Sequence, residues 1–78
     1  SGDMVKLIHE INFIETYIKI QQVRFGDRLI FTKDIDPSCL NIDIPPMILQ
    51  PLVENSVKYG IAPKEEGGTI SLTVRRSG

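Results

Sequence analysis

The sequence predicts an α+β fold, with helices laid on one face of a small mixed sheet in the order helix, strand, strand, helix, strand. Three observations lead there. Residues 4–25 carry apolar side chains at helical spacing without a Gly or Pro. Residues 27–36 and 69–75 alternate with period two. Between them a Pro45-Pro46 pair opens a second stretch of helical periodicity.

In the first stretch Leu7, Ile11, Ile14 and Ile18 follow steps of three and four, ending on Gln21. Phe13, Tyr17 and Ile20 repeat the spacing on a neighbouring face. The apolar surface is wider than one core needs, so one stripe is expected to meet its own domain and the other a partner helix. Asp3 is expected to cap this helix and Gly26 to end it.

Asp27-Arg28-Leu29-Ile30-Phe31-Thr32-Lys33-Asp34-Ile35-Asp36 reads as a strand with Leu29, Phe31, Lys33 and Ile35 on one face. After the turn at Asp36-Pro37-Ser38, Leu40, Ile42 and Ile44 alternate with Asn41 and Asp43 as a short second strand, and a hairpin of the two is expected. A helix over 46–59 buries Ile48, Leu49, Leu52, Val53 and Val57, is kinked or loosened by Pro51, and is capped by Gly60. A polar loop then leads into Ile70, Leu72 and Val74, alternating with Ser71, Thr73 and Arg75 as a half-buried strand.

Seventy-eight residues suffice for one small domain or part of one. A content of 41% hydrophobic and 24% charged residues argues against disorder. A net charge of −1 and scattered basic residues argue against nucleic-acid binding. The single cysteine, Cys39, excludes an internal disulfide and fits a reducing, cytoplasmic setting; one Cys and one His cannot build a zinc site. No apolar run approaches the ~20 residues of a membrane-spanning helix.

The second helix holds the residues with chemical promise. Asn55, Lys58 and Tyr59 stand at i, i+3 and i+4, and Glu54 one position earlier. Magnesium takes few protein oxygens beside substrate phosphates, a role that suits one Asn amide. A Lys one turn away can set an ammonium against the same phosphates. On spacing alone, the three residues read better as an ordinary solvated helix face.

The wider string, Ile44 through Ile61 as IPPMILQPLVENSVKYGI, closely resembles the asparagine box of the LytS/YesM-type sensor histidine kinases, a branch of the GHKL ATPase superfamily. Upstream, IETYIKIQQVRFGDRL over 14–29 resembles the helix leading into that family's ATP-binding domain. The resemblance implies a partial Bergerat-type (GHKL) sandwich, divided into a leading helix over 3–25 and the first part of the ATP-binding domain over 26–78. It further implies a parent enzyme of the membrane-anchored sensor class that phosphorylates a histidine with Mg2+ and ATP, lies in the cytoplasm in this portion, and works with a response regulator. By the same resemblance Asn55 holds the metal, while Lys58, Tyr59 and Glu54 lie at the nucleotide. Tyr59 stands where the branch often has His, which leaves its nucleotide contact less certain, and Glu54 ranks below Asn55.

ATP-hydrolysing relatives carry a Glu four residues before the metal-binding Asn; here Pro51 occupies that position, as befits transfer to histidine rather than to water. His9, in LIHEINF, does not resemble the family's phosphoacceptor box. The downstream glycine boxes are not in this sequence, and Gly67-Gly68 reads as a turn. The chain alone is therefore expected to lack autokinase activity and to self-associate through its broad first helix and the open edge of its last strand. The rival reading is a non-catalytic dimerisation or interaction module.

Overall fold

The computed structural model describes residues 3–77; Gly78, the final residue of the second predicted unit, lies outside them. The described elements run β1 (Val5–Lys6), α1 (Leu7–Phe25), β2 (Leu29–Ile35), β3 (Asp43–Ile44), α2 (Leu49–Asn55) and β4 (Gly68–Val74). Short 3-10 turns at Gly26–Arg28 and Pro37–Cys39 flank β2, and a π-helical segment, Ser56–Ile61, extends α2.

α1 forms where the helical period predicts it, and Leu7, Ile11, Ile14, Ile18 and Phe25 are its buried apolar residues. It starts three residues later than expected because its first amides find other partners. The Leu7 N–H donates to Ile42 O at 3.0 Å and the Ile8 N–H to Leu40 O at 2.9 Å. These bonds continue the antiparallel pairing of β1 with β3, Val5 opposite Ile44 and Lys6 opposite Asp43. Asp3 is thus not the cap: Lys6 holds that position without a side-chain bond. Gly26 ends the helix with φ 57°, a conformation that favours glycine.

The expected hairpin does not form. β2 pairs with β4 in parallel, in register from Leu29 opposite Gly68 to Ile35 opposite Val74. The 3-10 turn diverts the chain after β2, and Cys39, Leu40 and Ile44 pack with Leu7 and Ile11 instead. A parallel pair needs a crossover, which α2 supplies. β4 therefore already has one partner, and only its far edge is open among the described residues.

Both helices cover the same face of the β2–β4 sheet. Ile14, Ile18 and Phe25 of α1 meet Leu29 and Ile70 of the sheet and Val53, Val57 and Ile61 of the α2 region. The opposite face presents Ile30, Thr32, Asp34, Thr69, Ser71 and Thr73 to solvent. The result is a slab of 42 × 26 × 17 Å. The α+β class holds; the pairing within it differs from the sequence expectation.

The second helix also departs from expectation. Residues 45–48 form a turn, with Met47 at φ 64°, and the helix begins at Leu49. Pro51 is thus its third residue, inside the first turn, where amides have no intrahelical acceptor. Its missing N–H removes nothing from the ladder, so the predicted loosening has no cause. Gly60 is no cap either: it lies within the π-helical segment.

Candidate functional site

All four candidate residues lie where α2 passes into the π-helical segment. Glu54 and Asn55 are the last α-helical residues, and Lys58 and Tyr59 belong to the wider turn. The widening has a source in the sequence. Leu49, Val53, Val57 and Ile61 recur at a strict spacing of four. In an α-helix each such step overshoots a full turn by about 40°, so three steps would carry Ile61 off the core face. A turn closed by i→i+5 bonds absorbs that drift. The Ala62 N–H accordingly donates to Val57 O at 2.9 Å. Val53, Val57 and Ile61 all remain buried.

The same widening rearranges the polar face. Lys58 Nζ lies 5.1 Å from the Tyr59 ring centroid, a cation–π contact. The side chains of Asn55 and Glu54 have no hydrogen-bond or ion-pair partner among the described residues, and both are exposed. Lys58 and Tyr59 are thus brought together, while no bond links Asn55 to either. Glu54 nevertheless acts on α1: burial, and next the Glu54 charge, raise the pKa of the Tyr17 phenol.

A cleft of about 380 Å³ opens beside this segment, lined by Ser56, Gly60 and Lys64 on one side and Thr69 and Ser71 of β4 on another. Hydroxyls and one ammonium give it a polar character suited to anionic or hydrogen-bonding ligands. A larger cleft of about 580 Å³ lies at Gln22, Gly26, Asp27 and Ile30, and no candidate residue lines it. None of the four candidate residues lines the smaller cleft either; it adjoins their segment through Ser56 and Gly60. Ser56 and Lys64 were not among the predicted residues; Ser56 sits in the asparagine-box string itself, whereas nothing in the sequence brings Lys64 to the helix.

Gly67 and Gly68 form the turn into β4, as expected. Gly67 is buried with φ 70°, and a Cβ there would run into the Arg28 carbonyl. His9 is exposed on α1, as an ordinary helix residue would be. Among the described residues no group of three or more His, Cys, Asp or Glu could hold a metal. None of their helices is long and apolar enough to cross a membrane.

One buried polar residue escaped the sequence reading. Glu10 of α1 is 4% exposed, and its Oε1 accepts the Leu49 N–H at 2.8 Å. It caps α2 from another element. A Glu on the border of an apolar stripe was the only signal, and its partner lies 39 positions away.

A family profile described as histidine kinase matches residues 1–29. The chain is 41% identical over 87% of its length to YwpD, an uncharacterized protein of Bacillus subtilis. It is 34% identical over 99% of its length to the sensor protein LytS of Oceanobacillus iheyensis, and 34% identical over 97% to the sensor histidine kinase YesM of Bacillus subtilis. The chain belongs to the LytS/YesM-type sensor histidine kinases, as a segment of one. It spans 24%, 13% and 15% of the lengths of these three relatives.

Proposed function

We propose that the chain forms the leading helix and the first part of the Mg2+–ATP-binding domain of a two-component sensor kinase, which phosphorylates a histidine elsewhere in its protein and passes the phosphoryl group to a response regulator. The carrying observation is Asn55, exposed and unbonded at the α-to-π junction, within a string that resembles the family's asparagine box. π-helical turns recur at functional sites. Helices on one face of a parallel β2–β4 pair are compatible with a partial GHKL sandwich. A membrane-anchored parent, with this portion in the cytoplasm, follows from the same family reading.

The donor set fits a magnesium ion held mainly by phosphates and water. Asn55 offers one free amide oxygen, and the exposed Glu54 beside it can accept from a metal-bound water. The metal supplies charge neutralisation at the phosphates when bound. Lys58, whose ammonium lies over the Tyr59 ring, would add positive charge for the phosphates from the same segment. Pro51 has no side chain able to take a proton from water, which favours transfer to histidine over hydrolysis. The chain alone holds part of this site, so we expect no autokinase activity from it.

The test is a longer chain carrying the downstream glycine boxes. There Asn55→Ala is expected to abolish Mg2+–ATP binding; unchanged binding would leave the rival reading, an interaction module. That rival has its own support in the exposed Phe13, Ile20 and Val23 on α1, a surface suited to a homo-oligomer.

A further inference from the structure

We infer that Glu10 is a positioning residue for the nucleotide site, acting from α1 through the N-terminus of α2 to set the direction of Asn55. The inference rests on the reading of Asn55 given above.

A buried carboxylate is costly unless it is bonded and its charge compensated. Glu10 has no ion-pair partner among the described residues, and its one hydrogen bond is to the Leu49 N–H. Compensation comes from the helix terminus, whose free amides carry partial positive charge. Its neighbours on α1 at this depth, Leu7, Ile11 and Ile14, are apolar. An apolar side chain at position 10 would satisfy burial equally well. What it could not do is determine where α2 begins.

Three features make that start matter. Leu49 packs against both core clusters, so α2 starts at the junction between them. The approach is strained: Met47 at φ 64° occupies a region that side chains rarely adopt. Such a turn persists only where its surroundings hold it, and here Pro46 precedes it and the Glu10 bond follows it. Finally, Asn55 lies six residues beyond Leu49, about 9 Å along the axis. A change in the position or phase of the first turn therefore passes directly to the Asn55 side chain, with too little helix between to absorb it. The geometry also makes α1 and the Asn55 segment one mechanical unit, since Ile14 and Ile18 pack in the same cluster as Val53 and Val57.

The experiment uses the full-length sensor protein and measures Mg2+–ATP affinity and its Mg2+ dependence alongside thermal unfolding. Glu10→Ala is expected to weaken Mg2+–ATP binding about tenfold, well below its unfolding temperature, and to raise the Mg2+ concentration for half-saturation. Glu10→Gln retains an acceptor oxygen at the same reach and is expected to recover most of the affinity. Glu10→Asp, one methylene shorter, is expected to behave like Ala. Cys39→Ala, in the core beside Leu7, serves as a control that lowers stability while leaving the Glu10 carboxylate and its Leu49 N–H partner in place. Unchanged affinity in Glu10→Ala, or a loss no greater than that of the control at matched stability, would overturn the proposal. Should Glu10→Ala not fold, the Gln and Asp variants decide: equal affinities overturn it, and a deficit in Asp alone supports it. Asn55→Ala, run in parallel, separates the two levels. If it binds Mg2+–ATP normally, the site reading itself has failed, and this proposal with it.

Discussion

Gly67 lies directly over the Arg28 carbonyl, so the loop before β4 touches the turn before β2 through bare backbone. The contact sits at the first rung of the parallel pair, Leu29 opposite Gly68. Arg28 reinforces it, its Nη2 donating to Lys64 O at 2.6 Å, while the Gly67 N–H closes the loop onto the same carbonyl at 3.0 Å. Gly67→Ala places a methyl into the carbonyl and forces a side chain into positive φ. The combined cost is expected to be about 2–4 kcal/mol, measured as a shift in denaturant midpoint. Gly60→Ala is the comparison, since a Cβ there meets nothing within 4 Å. It should cost far less.

Pro51 separates two pictures of α2. As a residue of the first turn it breaks no hydrogen bond, and its ring limits the unfolded chain. Pro51→Ala is then expected to lower stability by about 0.4–1 kcal/mol. A helix kinked by this proline would gain up to about 3 kcal/mol from the same change. Equilibrium unfolding of the two proteins distinguishes a small loss from a large gain.

These cases show where the sequence was legible. Periodicity within a segment identified α1, β2 and β4, because burial on one face imposes a period on the residues themselves. Pairing between segments was not encoded locally. Residues 40–44 alternate like a hairpin strand, yet Leu40 and Ile44 find their apolar partners at Leu7 and Ile11 rather than on β2. The helix start at Leu49 was hidden for the same reason, since its cap comes from Glu10. The candidate residues Glu54, Asn55, Lys58 and Tyr59 were legible as a motif. Their geometry was not, because the π-helical turn changes the phase after Asn55. The strict four-residue spacing from Leu49 to Ile61 was the available clue.

Asp36 should give acid stability a distinct signature. Its Oδ1 accepts from the Ser38 hydroxyl at 2.8 Å and from the Ser38 N–H at 2.9 Å. These bonds, in that order, hold its carboxyl below the usual range, with Arg76 adding to the effect. A depressed folded-state pKa means the contribution is fully present above the unfolded value, about 3.9 for Asp. It is lost as pH falls through the folded value. Asp36→Asn is therefore expected to be less stable than the parent near neutrality, with the gap closing below about pH 4. Denaturation midpoints across this window provide the check; a gap independent of pH would count against the assignment.

The second stripe of α1 is covered only at Tyr17, which packs against the main core cluster; Phe13 is 48% exposed and Ile20 61%, and Val23 beside them is 90% exposed. Ile14, one position from Phe13, is fully buried. The two faces should answer substitution differently. Ile14→Ala removes core packing and is expected to cost about 2–5 kcal/mol, whereas Ile20→Lys should change folding stability by no more than about 0.5 kcal/mol. Self-association through this stripe adds a second readout. Light scattering across a concentration series is then expected to show the parent gaining mass, while Phe13→Lys and Ile20→Lys remain monomeric at the same concentrations. A mass unaffected by both changes would place any association elsewhere, with the open edge of β4 the next surface to test. An association driven by exposed apolar area should also strengthen in sulfate, which favours burial, whereas one held by ion pairs would weaken as salt rises.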